Sequence, residues 1–151
     1  MYYVNREQIE RRIAALDDVC AALEQTASSW DASLTSGMVQ ERALHLAIEC
    51  VTDIGSYLID GFIMRDASSY DDIIEIVGGE QVMDEQTTAR LLELVKLRRP
   101  LVQDYYDWQR YELHPLTTVL PETLRSFATQ VHDYLDRELG TGVSGDQAQS
   151  N

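Results

Sequence analysis

Lysine is almost missing from this chain. Lys96 is the only one in 151 residues, and lysine and arginine together number 12 against 26 aspartates and glutamates. The net charge of -14 opposes nonspecific attraction to nucleic acid or to an anionic membrane surface, because phosphate binding needs a positive footprint. Any contact with nucleic acid therefore has to be local. Apolar residues make up 44% of the chain but fall in short periodic groups, and the absence of an uninterrupted run of about 20 excludes a transmembrane helix. The opening MYYVNREQIERR lacks an apolar signal core followed by a small-residue cleavage site, so a cytoplasmic protein is expected. The two cysteines, Cys20 and Cys50, lie inside apolar helical patterns rather than in a close pair such as C-x-x-C, which predicts buried free thiols. No Gly-rich phosphate loop and no G-x-S-x-G motif occurs, and neither strand-like alternation nor an internal repeat is present.

What is present is helical periodicity. The length fits one domain with a genuine core, since a chain of this size buries roughly 70% of its unfolded surface. Asn5, with Gln8 three residues on, predicts a helix start whose apolar face is Ile9, Ile13, Leu16, Val19, Cys20 and Leu23. Arg6, Arg11 and Arg12 alternate there with Glu7 and Glu10, the pattern of a solvated face. The segment SSWDASLTSG, residues 28 to 37, predicts a loop. A long second helix follows to about Phe62, with Leu44, Ala47, Ile48, Val51, Ile54, Leu58 and Phe62 as its core stripe. Ser69 is placed to cap a third helix with buried face Tyr70, Ile73, Ile74 and Val77, closed by Gly78 and Gly79. Asp84 caps a fourth, on which Leu91, Leu94, Val95, Leu101, Val102 and Tyr105 share a face if it runs straight. Pro121 is expected to open the last helix, whose core face is Leu124, Phe127, Ala128, Val131, Leu135 and Leu139. The reading is an all-α, antiparallel up-and-down bundle of four to five helices spanning residues 1–139. The tail 140–151, GTGVSGDQAQSN, has no apolar face to bury and is expected to be disordered.

The candidate site is LRRPLVQDYYDW, residues 97 to 108. Lys96, Arg98 and Arg99 are three cations within four residues, the one dense basic cluster outside the first helix. Pro100 cannot donate a backbone hydrogen bond to the Lys96 carbonyl, and its ring disfavours helical angles at Arg99, so the helix should end or kink there. In a continuous helix Arg98 and Gln103 stand about 140° apart, from 3.6 residues per turn. A break could bring them to one cleft beside a helix start and a row of aromatics, a fitting pocket for a phosphate and a stacked base. On the residues alone, Arg98 could equally pair with Asp104 or with an acid from another helix. Tyr105, Tyr106, Trp108 and Tyr111 could equally be core or subunit-interface aromatics. The row His45, Glu49, Asp53 spans about 80° of one helix face and fits a solvated or interface surface better than a metal site. His114 and His132 have no sequence-adjacent partner for nucleophilic catalysis.

The order of ERALHLAIECVTDIGSYLIDGF, SSYDDIIEIV and LLELVKLRRPLVQDYY resembles the HepT-like family of the HEPN superfamily, over roughly residues 40 to 136. The family's signature is Arg, usually Asn, three residues, His, any residue and Tyr. Arg98 and Tyr105 match it, whereas Arg99 stands for the Asn and Gln103 for the His. The resemblance implies a metal-independent ribonuclease toxin that needs no cofactor and works as a homodimer joining two motifs at one cleft. It also implies a minimal nucleotidyltransferase antitoxin that attaches AMP to the motif tyrosine, here Tyr105. On that basis Arg98, Gln103 and Tyr105 are the candidate catalytic residues, and Lys96, Arg99 and Tyr106 the candidate RNA- or nucleotide-binding ones. The glutamine sets the alternative, because an amide cannot move a proton as an imidazole can. That alternative is a catalytically silent dimer of the same fold that binds nucleotide, RNA or a partner.

Overall fold

The computed structural model describes residues 2–140, so the tail expected to be disordered lies, apart from Gly140, outside the described residues. Five α-helices form the described chain: α1 (Arg6–Ser28), α2 (Leu34–Gly61), α3 (Tyr70–Gly79), α4 (Glu85–Val95) and α5 (Pro115–Leu139). Side-chain caps set four of the starts as the sequence predicts or nearly so. Asn5, Ser69 and Asp84 accept hydrogen bonds from the amides of Gln8, Asp72 and Thr87, each satisfying one of the otherwise unpaired first-turn donors. Ser33 does the same for α2 through the Ser36 amide, so α2 begins at Leu34 and the expected ten-residue loop is shorter. Asp31 fixes that loop by accepting from the Ser33 amide and the Ser36 hydroxyl, bonds that lower its carboxyl to about 2.

α1 packs on α2 and α5, α3 on α2 and α4, and α4 on α5. The pairs Arg6–Asp136, Glu10–His132 and Glu24–Arg125 run in opposite order along α1 and α5, which makes these helices antiparallel. The predicted stripes meet in one core, where Ile9, Leu23, Leu44, Ile48, Leu58, Leu91, Leu124 and Phe127 are fully buried. Each such side chain contributes about 1.5–3 kcal/mol relative to exposure. In α5 and α3 the expected placement of one residue each fails. Pro121 lies inside α5, not at its start: Pro115 takes the first-turn position, His114 caps it through Nδ1, and Leu116 and Leu120 extend the buried face one turn upstream. Tyr70 is 41% exposed because the first residue of α3 projects past the end of the core.

Cys20 and Cys50 are buried free thiols, as predicted, and burial pushes both up, Cys50 to about 11. A thiol-reactive disulfide reagent at neutral pH is therefore expected to modify neither until denaturant is added. Rapid stoichiometric labelling of the native protein would contradict this placement.

The loop before α3 is organised by Asp72, which is 8% exposed. Its oxygens accept two hydrogen bonds from Arg65, at 2.8 and 2.7 Å, and one from the Ser68 amide at 2.9 Å. Arg65 first, then the Ser68 amide, hold the Asp72 carboxyl well below the usual carboxylate range. Because the folded value is the lower one, this stabilisation is complete above the unfolded value near pH 4 and disappears as pH falls through the folded value. Asp72→Asn is expected to lower stability at neutral pH, with the difference from wild type shrinking progressively in acid. Urea melts at a series of pH values measure it, and a difference that stays constant below pH 4 would refute the assignment.

Candidate functional site

α4 ends at Val95, five residues before Pro100, and the chain tightens through the Leu97 amide bonding to the Leu94 carbonyl. It then widens into a π-helical turn, Arg99–Gln103, followed by a 3-10 turn, Tyr105–Asp107. Pro100 explains the change of winding, since the bond it cannot make to Lys96 breaks the α-helical ladder. A π turn is closed by bonds between residues five apart, here the Asp104 amide to the Arg99 carbonyl at 2.9 Å. Residues five apart are thereby drawn to one side, and Arg99 and Asp104 illustrate it with a side-chain ion pair of 3.4 Å. Arg98 and Gln103 have the same spacing, so the widened turn reduces the separation an α-helix would impose.

The three cations part company here. Lys96 and Arg99 are exposed, Arg99 facing Asp104. Arg98 is half-buried and does not pair with Asp104. Its guanidinium carbon lies 4.0 Å over the ring of Tyr70, from the first turn of α3. Its Nε is buried without an acceptor, and neither terminal nitrogen hydrogen-bonds within the described protein. Arg65, Arg110 and Arg125 instead make two-pronged contacts with Asp72, Glu41 and Glu24. Arg98 thus has no carboxylate partner among the described residues. Gln103 is exposed, and Tyr105 and Tyr106, edge to face at 5.7 Å, are 58% and 72% exposed. Neither tyrosine is a core residue, and Tyr105 does not join the α4 stripe. Tyr70 also lines a cleft of about 490 Å³ with Ser56, Asp60, Asp66, Ser68 and Ser69.

The segment after the motif is anchored to α2. Gln40, fully buried, accepts from the His114 amide (2.8 Å) and the Thr117 hydroxyl (2.7 Å), and donates to the Glu112 carbonyl (3.0 Å). Arg110 pairs with Glu41, and its backbone runs so close to Gly37 that a Cβ there would overlap the Arg110 carbonyl oxygen. Trp108 stacks on His114 with centroids 5.7 Å apart, and burial pushes the His114 imidazole down. These two rings line a second cleft, of about 450 Å³, with Pro100, Asp104, Glu112 and Pro115. Sequence reasoning missed both Tyr70 as the partner of Arg98 and Gln40 as the anchor. The first had a local signal in the Ser69 cap that fixes Tyr70 at a helix start; the second, a lone glutamine in an apolar helix, had none.

The other candidates separate. His45 pairs with Glu49 at 3.5 Å, Asp53 with Arg12 at 3.3 Å, and His132 with Glu10 at 2.8 Å. Among the described residues no group of three or more His, Cys, Asp or Glu side chains is arranged to hold a metal ion, and no helix is long and apolar enough to cross a membrane.

Fold and site together define an all-helical HEPN-like bundle with its arginine motif on an irregular turn after the fourth helix. Residues 9–134 match the family described as Ribonuclease HepT-like, and the chain belongs to that family. Among its relatives is the Bacillus subtilis (strain 168) protein named "Putative RNase YutE", 36% identical over 140 residues, covering 93% of this chain and 96% of that one. The solved structure of YutE from Bacillus subtilis, described as a cytosolic protein, superposes with a TM-score of 0.84, covering 95% of this chain and 99% of that one. A chain from a toxin-antitoxin crystal structure with AMP-PNP shares the fold at a TM-score of 0.71 and 16% identity, covering 82% of this chain and 96% of that one.

Proposed function

We propose that this protein is a metal-independent ribonuclease of the toxin type, acting as a homodimer in which Arg98 clamps a phosphate of single-stranded RNA. The observation that carries the reading is the state of Arg98: held against a neutral ring, without a carboxylate partner, in a motif whose Gln103 and Tyr105 are exposed. A guanidinium so placed stabilises the charge that develops on a phosphodiester as a ribose hydroxyl attacks it. Lys96 adds local positive potential, Arg99 joins it when a phosphate displaces Asp104 from its side chain, and Tyr106 offers a face for base stacking. Gln103 can orient the phosphate or hydroxyl but cannot carry a proton, so cleavage is expected to be slow. The test is cleavage of total RNA or tRNA by purified protein in the presence of chelator. Arg98-dependent products support the reading, and identical products from wild type and Arg98→Ala defeat it.

The partner in this reading is a minimal nucleotidyltransferase that transfers AMP to the Tyr105 hydroxyl. The exposure of Tyr105 supports it, and the added phosphodiester would neutralise the field of Arg98 and Arg99 while its bulk closes the cleft. Co-expression with a nucleotidyltransferase encoded beside this gene should add one or more AMP masses, absent in Tyr105→Phe. An unchanged intact mass would sink this part of the proposal. A second reading, a silent RNA-binding dimer, is favoured by the amide at position 103 and predicts Arg98-dependent RNA binding without cleavage.

A further inference from the structure

Tyr70 belongs to neither the arginine motif nor the candidate site as the sequence defines it, yet it is the side chain that holds Arg98. A guanidinium presents two kinds of surface, a π face and an in-plane edge of N–H donors. The Tyr70 ring, 4.0 Å from the guanidinium carbon, covers one side of the group, and burial of the partnerless Nε consumes one end of the edge. What remains is the fork formed by the two terminal nitrogens, which hydrogen-bond to none of the described residues, whereas the neighbouring Arg99 is paired with Asp104. This is the geometry for bidentate contact with two non-bridging oxygens of one phosphate. A carboxylate could orient an arginine as well, as Asp72 does for Arg65, but it would neutralise the charge the phosphate needs. Leaving a buried Nε without an acceptor costs about 1–3 kcal/mol, and an unsatisfied group of that kind marks a site where stability has yielded to another requirement.

We infer that Tyr70 is the positioning residue for Arg98, setting it as an end-on phosphate fork before RNA arrives. The inference rests on the assignment of Arg98 as phosphate clamp and deepens it by naming how the clamp is oriented. The ring face, not the hydroxyl, does the work, so phenylalanine should replace tyrosine and leucine should not. Tyr70 is partly exposed, and Tyr70→Leu should leave the fold intact.

Two measurements on the full chain test it. In NMR spectra the Arg98 Nε–H signal, identified by its loss in Arg98→Ala, should shift and exchange faster with solvent in Tyr70→Leu but stay nearly in place in Tyr70→Phe. For a fluorescently labelled single-stranded RNA, Tyr70→Leu should weaken binding about tenfold, Tyr70→Phe less than about twofold, and Tyr70→Leu should add nothing in an Arg98→Ala background. An unmoved Nε–H signal in Tyr70→Leu overturns the inference, as does additivity with Arg98→Ala. Loss of binding in Tyr70→Leu without rescue by phenylalanine overturns it too, since the hydroxyl would then be responsible. If Arg98→Ala binds RNA as tightly as wild type, the phosphate-clamp assignment itself fails; if Arg98 matters and Tyr70→Leu does not, only the positioning role fails.

Discussion

Gln103→His is expected to raise RNA cleavage by about 10²- to 10⁴-fold over wild type, the range that a well-placed general acid or base supplies. An imidazole titrates near pH 6.5, so it can take a proton from an attacking ribose hydroxyl or give one to the leaving oxygen, whereas an amide can do neither. Position 103 is exposed and ends the π turn, so a histidine there displaces no core packing. The gain should appear as a pH-rate profile with a limb near neutrality that wild type lacks. Arg98→Ala in either background should remove about 10²- to 10³-fold, the usual cost of deleting one stabiliser of developing charge. Cleavage kinetics of the four proteins on one RNA provide the check. A Gln103→His protein no faster than wild type would show that the site lacks more than the imidazole, and would favour the silent binding dimer.

The largest structural effect is expected from Gln40→Leu, a loss of about 3–5 kcal/mol of stability. The substitution leaves the His114 amide, the Thr117 hydroxyl and the Glu112 carbonyl without their partner, and each orphaned group costs about 1–3 kcal/mol where water cannot reach it, as at the buried Thr117 hydroxyl. The lower part of the summed range applies because the bonds to the His114 amide and the Glu112 carbonyl are only part-buried. Against a typical total of about 5–15 kcal/mol this is a large fraction, and a urea melt at neutral pH would show it as a much lower midpoint. A midpoint unchanged within error would mean that the Gln40 bonds do not hold the segment. The same segment carries Trp108 and follows directly from the motif, so RNA binding should weaken with it. Ala substitution at Gly37 should act on the same joint by driving the Arg110 backbone away from α2.

The core stripes of α1, α2, α4 and α5, and the caps at Asn5, Ser69 and Asp84, were legible in the sequence because they rest on interactions between residues three or four apart. Errors came where a local rule had two solutions. A proline favoured at a helix start could be Pro115 or Pro121, and only the burial of Leu116 and Leu120 against the other helices decides for the first. Tyr70 fits the α3 stripe by spacing, yet that stripe outruns the core by one residue at its start.

At the site, the sequence by itself determined which side chains stand in the motif, that Pro100 interrupts the helix there, and that an amide replaces the expected imidazole at Gln103. All three follow from residue identity and from the missing N–H of proline. The tertiary structure alone decided that Arg98 rests on Tyr70 and not on Asp104, that Tyr105 faces outward, and that Gln40 pins the following segment to α2. Those contacts join residues 28 to 77 positions apart, and no periodicity encodes them. They exist because burial of the apolar stripes lays α3 against the C-terminal part of α2, beside Arg98, and the segment after the motif against its first turns, where polar side chains pair with whatever that packing places beside them.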